Sequence, residues 1–448
     1  MKRLATLLAG MLLGLLLAVP ATAADKMAVA KKLFTNVNVF DGEHEKLIAN
    51  ANVLIEGNLI KQVATQTIAT DGATVIDGKG RTLIPGLIDA HYHPMMAALP
   101  LADLLNSPDG WINLAAARNA EQFLLQGFTT MREGSGNSFS LKRAIDQGLY
   151  AGPRIYPTGP MISQTSGHAD YRPYTAVPAE PDEQLLYINR NGYAAIADGV
   201  PEVMKSVREA LRMGASQVKL SAGGGVASSY DPLDVAEYTY EELKAAVDVA
   251  KTWNTYVMVH AYTPIAVQTA LRAGVQSIEH GQLIDEETAK MIAKKGAWLC
   301  LSPFLDDEEA IPFPQGSDQR KKQLAMTAGT DNAYRLAKKY KIKTAFGNDT
   351  LFDAKLAAKQ GKQLAKLKRW YTPYEILKMA TYDNAQLLKL CGPRDPYPGE
   401  LGVVKEGALA DLILVDGNPL DNLDLVVDPA KNFVVIIKDG KIYKNTLK

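Results

Sequence analysis

Residues 83–96, LIPGLIDAHYHPMM, decide how the rest of the chain is read. An apolar run ends in His91 and His93, and side chains two apart on a strand leave the same face. Two imidazoles at the carboxyl end of a strand make half of a metal site. Taken alone, such a pair also suits exposed polar residues or hydrogen-bonded core histidines. Ile84-Pro85-Gly86 breaks the run and marks where a preceding β module hands over to a larger domain.

Downstream, strand-like and helix-like stretches alternate. FTTMRE, RIYPTGPM, QVKLSAG, TYVMVHAY, SIEHG, AWLCLSP and IKTAFGND are predicted strands. Between them, PEVMKSVREALRMG, TYEELKAAVDVAKTWN, PIAVQTALRAG, DEETAKMIAKKG and DNAYRLAKKYK carry apolar residues at helical spacing, several closing on Gly214, Gly274 or Gly296. With LIPGLIDAH in front, the count is eight βα units, which predicts an α/β fold of the (β/α)8 TIM-barrel type with its site at the carboxyl ends of the strands. A doubly wound open sheet is the competing architecture, but no Gly-rich phosphate loop follows the first strand. Residues 163–199 and 304–329 are long for βα connections and are expected to shape the substrate pocket.

On either side of this domain lie short alternating runs with turn residues. FTNVNVFDG, ANVLIEGNLIKQVA and ATVIDGKGRTLI precede it, while ALADLILVDGNPL and NFVVIIKDGKIYKN follow it. They predict one small antiparallel β-sandwich made from both chain termini, residues 24–84 and 401–448, around a barrel at residues 85–400. Before them, Lys2 and Arg3, the apolar run 4–19 and Ala21-Thr22-Ala23 have the form of a signal peptide, residues 1–23. The run is shorter than the roughly 20 residues that span a bilayer, so export to the periplasm or outside is expected, with no stable membrane anchor after cleavage.

Forty-nine basic and forty-nine acidic residues give a formal net charge of zero in 448 residues. No basic cluster interleaves with aromatics, which argues against a nucleic-acid partner and for a small substrate. Two cysteines, Cys300 and Cys391, are too few for a disulfide framework or a cysteine metal motif. A metal here would need His, Asp, Glu or Lys.

Of six histidines, His91, His93, His168, His260 and His280 fall at predicted strand ends or in the following loop, and Asp349 ends TAFGND. Lys219 lies in an apolar strand that enters a glycine-rich turn. A buried lysine there either pairs with a carboxylate or, with its pKa lowered, reacts with carbon dioxide to give a carbamate able to bridge two metals. The surrounding histidines favour the carbamate. Gly223, Gly224 and Gly225 lack the order of a phosphate loop and suit close backbone approach to a substrate.

LIPGLIDAHYH, GFTTMRE, VKLSAGGGVASS, VMVHAYTP, SIEHG, FGND and GALADLILVDGNPL together resemble the amidohydrolase superfamily. Within it they resemble the branch of prolidase-like dipeptidases, carboxypeptidases acting on dipeptides or N-acyl amino acids, and ochratoxinase-like amidases. The resemblance covers nearly all the chain after the signal segment and implies a (β/α)8 barrel with a small terminal β-sandwich. It implies two divalent metal ions, most often zinc. His91, His93 and Asp349 would hold the first, His260 and His280 the second, and N6-carboxylated Lys219 would bridge them with a hydroxide. Asp349 would act as general base and acid, and His168, in QTSGHADYRP, would hydrogen-bond the carbonyl oxygen as charge develops on it.

Tyr262, two residues beyond His260, matches a residue that binds the substrate's terminal carboxylate. Tyr230, Tyr171, Arg154 and Arg172 are further candidates for the substrate pocket. Tyr92 points away from the metals by strand alternation, and Asn348 stands where many members have Thr or Ser, positioned to hydrogen-bond a carboxylate neighbour. The reaction implied is hydrolysis of an amide bond next to a free C-terminal carboxylate. Alternatives are a xenobiotic amide, a cyclic amide or an ester, and, outside enzymes, a non-catalytic scaffold. Deamination fits less well, because deaminases of the superfamily usually lack the bridging lysine. Homo-oligomers are expected by analogy with the branch.

Overall fold

The computed structural model describes residues 30–69, 71–176 and 186–447; the expected signal segment lies outside them. The stretch 83–96 is split at Gly86. Thr82–Pro85 pairs antiparallel with Leu412–Val415, whereas Leu87–Tyr92 pairs parallel with Phe128–Glu133. A Cβ at Gly86 would lie 2.2 Å from Thr129 Oγ1, so the chain changes sheets where no side chain stands in the way.

Strands from both ends of the chain share one sheet of eight. It buries an apolar face that includes Phe34, Val53, Leu83, Leu412 and Val435. The expectation of a purely antiparallel module is corrected in one respect: Lys31–Val39 pairs parallel with both Ala73–Asp77 and Thr82–Pro85. After the hairpin of Ile48–Glu56 and Leu59–Ala64 the chain crosses back to the start of the first strand, so direction repeats instead of reversing.

The rest is α/β. Parallel strands form a sheet of three, Leu87–Tyr92, Phe128–Glu133 and Arg154–Tyr156, and a sheet of seven that runs on through Val218–Ser221, Val257–Ala261, Ser277–His280 and Trp298–Leu301 to Lys343–Phe346. RIYPTGPM, expected as one strand, is two, Arg154–Tyr156 and Met161–Ser163. Pro157 and Pro160 have no N–H to give a ladder, which interrupts it. Ala194–Ile196, not anticipated as a strand, adds to Met161–Ser163 at the edge.

Side chains bridge the gaps between the two sheets. Asn384 donates to Ile88 O (2.7 Å) and Phe346 O (2.8 Å) and accepts from Phe346 N (3.0 Å), doing between Leu87–Tyr92 and Lys343–Phe346 what a ladder does elsewhere. Asp349 N donates to His91 O at 2.8 Å on the same seam. Across the other gap, Gln217 Nε2 donates to Tyr156 O at 3.0 Å and Ser216 N to Pro157 O at 2.8 Å.

Helices cover the parallel strands with their apolar faces; Gly199–Met213, for example, buries Val203, Val207, Ala210 and Leu211. Three of them stop at Gly214, Gly274 and Gly296, each left-handed (φ 104°, 100° and 65°), and Thr239 with Glu242 forms a capping box at the start of Tyr240–Thr252. Among the described residues no helix is long and apolar enough to cross a membrane.

Asn384→Ala leaves three buried backbone groups without partners. It should lower stability by roughly 2–4 kcal/mol, read as a lower urea midpoint with an unchanged slope.

Candidate metal centre

His91 ends its strand with both ring nitrogens committed to a direction. Nδ1 lies 2.6 Å from Glu279 Oε2, and Nδ1 of His93 lies 3.0 Å from Ser135 O. Facing acceptors, both Nδ1 atoms carry the proton, which turns the Nε2 lone pairs inward, 3.3 Å apart. Asp349 Oδ1 sits 3.0 Å from His93 Nε2 and 3.6 Å from His91 Nε2, and Asp349 Oδ2 3.9 Å from His280 Nδ1. Asp349 Oδ1 and His280 Nδ1 are buried without a hydrogen-bond partner. A cation at that point would satisfy these buried groups together.

Lys219 Nζ reaches 3.5 Å from His91 Nε2, and His260 gives Nε2 to Gly224 O at 3.2 Å, freeing its Nδ1. The rings of His91 and His260 lie 4.9 and 4.6 Å from that of His280. The six residues expected to hold metal thus come together at one end of the parallel strands.

Burial acts on three of the imidazoles. It pushes His280 down to about 4 and His91 and His260 well below the ordinary imidazole range, keeping them neutral. Burial alone would raise Asp349; positive charge at the positions of His91, His93 and His280 around it, which a bound cation would supply once those rings are neutral, lowers its carboxyl. Burial likewise pushes the Lys219 ammonium down to about 8, against the pull of Glu279 and Asp349. Its amine is then far more available to an electrophile than that of an exposed lysine.

The sequence reading missed Arg132 and Glu279. Arg132 donates to Glu279 Oε2 at 2.7 Å, Ser277 Oγ to Glu279 Oε1 at 2.5 Å, and Arg132 Nε to Ala90 O at 2.5 Å, all buried. Their signal was charge inside apolar strands, FTTMRE and SIEHG. A second cluster, His91 with Glu279 and Cys300, has ligand-like spacing. Glu279 is already shared by Arg132 and Ser277, and burial holds the Cys300 thiol protonated, so that group is support for His91.

His168 stacks on His260 with ring centroids 4.0 Å apart. Its Nδ1 faces Ser228 Oγ (2.8 Å) and Asp231 Oδ2 (3.4 Å), so Nε2 is the nitrogen left for a ligand; neither partner was singled out from sequence. Tyr262 packs edge-on against His260 at 4.7 Å. Tyr92 turns outward, its hydroxyl accepting from Asn119 at 2.8 Å. The Asn348 side chain bonds Gln360 and Thr350 rather than a carboxylate.

These residues open into a cavity lined also by Tyr171 and, from the loop after Trp298–Leu301, by Phe304, Leu305, Glu309, Ile311 and Phe313. Three pocket candidates lie elsewhere. Arg154 starts its strand and therefore sits at the end away from the site, where it pairs with Asp411 (2.9 Å) and Asp439 (2.7 Å) of the terminal sheet. Arg172 is paired with Asp170, and Tyr230 donates to Arg172 O at 2.8 Å; both line a separate cleft with Thr165 and Tyr174.

An α/β fold with a buried His, Asp and Lys cluster is here matched to a family of hydrolases acting on C–N bonds. Residues 82–445 match the amidohydrolase family, and the chain belongs to it. It is 31% identical to ochratoxinase of Aspergillus niger over 385 residues, covering 81% of this chain and 75% of that one. A solved amidohydrolase superposes with a TM-score of 0.85 at 34% identity, covering 94% and 100% of the two chains. A prolidase solved with N-methylphosphonate-L-proline gives 0.85 at 32%, covering 93% and 100%.

Glu279→Gln loses the carboxylate that fixes the His91 ring. Divalent-metal affinity should fall roughly 10- to 100-fold by calorimetric titration.

Proposed function

We propose that this protein is an exported binuclear metal-dependent amidohydrolase that cleaves an amide bond in dipeptides or N-acyl amino acids with a free C-terminal carboxylate. One observation carries the reading: buried, unpaired acceptors of Asp349 and His280 converge beside the His91 and His93 lone pairs and a lysine of lowered pKa. The parallel strands are read as a closed (β/α)8 barrel, with Asn384 and Gln217 sealing its two gaps, and the eight-stranded sheet as the accompanying β-sandwich.

His91, His93 and Asp349 would hold one ion, His260 and His280 the other, with carboxylated Lys219 between them. Imidazole and oxygen donors without thiolate suit zinc. Two such ions would acidify water at neutral pH and polarise the scissile carbonyl. Asp349 would accept the proton of the attacking water and hand it to the leaving nitrogen as the C–N bond breaks. His168 is held by Ser228 and Asp231 so that Nε2 can donate to the carbonyl oxygen. Tyr262 offers its hydroxyl to the terminal carboxylate. The prolidase neighbour's bound phosphonate of proline supports a substrate of this kind. A second reading, a xenobiotic amide, draws on the ochratoxinase relative.

Metal analysis of protein reconstituted with zinc and bicarbonate should find about two divalent ions per chain. None bound rejects the centre. Lys219→Ala should lose at least about a hundredfold in activity and regain part of it with short carboxylic acids that stand in for the carbamate; full activity without rescue rejects the bridge.

A further inference from the structure

The cavity wall beyond the catalytic groups is apolar, and it begins at the site. Phe304 stacks over the His280 ring with centroids 6.1 Å apart. Tyr262, Val226 and Met326 form one buried cluster, against which Phe304 and Phe313 pack. All five line the cavity. We propose that this wall selects a released residue with a bulky apolar side chain, such as phenylalanine, leucine or methionine, over basic residues and proline. The proposal rests on the carboxypeptidase-like reading above, because it is Tyr262, as carboxylate binder, that brings the released residue against this cluster.

The polar groups around the wall are already engaged. Among the described lining residues, the one carboxylate outside the catalytic cluster is Glu309, which lies between Lys362 (3.4 Å), Lys359 (3.7 Å) and Lys366 (3.8 Å). Lys366 is itself 2.8 Å from Asp307. Gln323 donates to Ile311 O at 2.9 Å and accepts from Arg320, and Gln363 donates to Glu309 O at 3.4 Å. A lysine or arginine side chain entering here would lose water and meet no free anion, and a charge desolvated without a partner is strongly disfavoured. An apolar side chain instead exchanges water for contact with Val226, Met326 and the two phenylalanines, each added methylene favouring it further. Proline fills little of the space and gains least.

The test measures kcat/KM of the zinc- and bicarbonate-reconstituted enzyme on N-acetyl and alanyl derivatives of Phe, Leu, Met, Ala, Pro, Lys and Arg. Phe, Leu or Met should exceed Lys, Arg and Pro by about tenfold or more. A preference for Lys, Arg or Pro, or a flat profile, overturns the proposal while leaving amide hydrolysis standing. No turnover of any member overturns the underlying function and this proposal with it. Phe313→Ala should lower the Phe-to-Ala substrate ratio about fivefold or more. Phe313→Asp, which sets a free carboxylate in the wall, should raise the Lys-to-Phe ratio about tenfold or more. Wild-type ratios in both folded variants would remove the wall from specificity.

Discussion

The Glu279 carboxylate, shared between Arg132 and His91 in the interior, is the interaction on which the rest depends. Its partners come from three strands, Leu87–Tyr92, Phe128–Glu133 and Ser277–His280. A buried pair of charges is not a gain over an apolar core of the same shape, but losing one member leaves the other stranded, at a cost of about 3–5 kcal/mol. The three strands are therefore locked in register. The same contact puts the proton of His91 on Nδ1 and its lone pair on the cavity side, so one network sets both the packing of the strands and the electrostatics of the site.

Crowding six donors into one cavity needs room that side chains would otherwise take. A Cβ at Gly134 would lie 2.6 Å from His93 Nε2, and one at Gly225 1.9 Å from His168 Nδ1. Where a ligand must be aimed against strand alternation, the backbone is strained: His280 (φ 77°) and Asp349 (φ 53°) both sit in the left-handed region. Such conformations cost on the order of 1–3 kcal/mol each and persist where the surroundings leave no alternative. Asp349 N bonded to His91 O is one such restraint.

The residues that converge at the cavity were legible in the sequence because all but Lys219 are charged or imidazole residues at or just beyond the end of an apolar run, and strand ends on one side of a parallel sheet share one face of the fold. Arg132 and Glu279 were hidden for the opposite reason. They sit within strands, where a charge reads as solvent-facing, and their match is between segments 147 residues apart. Arg154 was misplaced because spacing gives the strand but not which end of it bears on the site. RIYPTGPM reads as one strand by composition, yet two prolines remove ladder donors that hydropathy does not register. The seams were illegible altogether. Asn384 and Gln217 replace backbone hydrogen bonds with side-chain amides, and nothing in their local sequence distinguishes them from surface residues.

The buried His, Asp and Lys cluster and the cavity wall beside it are held by interactions of different strength, and this shapes how the enzyme can change. The catalytic end rests on buried contacts such as Glu279 with Arg132, whose loss propagates into the strands. The wall formed by residues 304–313 is fastened through Glu309 to Lys359 and Lys362, whose side chains are 37% and 40% exposed. Ion pairs reaching solvent contribute at most about 1 kcal/mol each and weaken with salt. Substitutions there alter the shape and charge of the cavity at little cost to the fold. A change in the wall therefore requires no change in His91, Asp349 or Lys219.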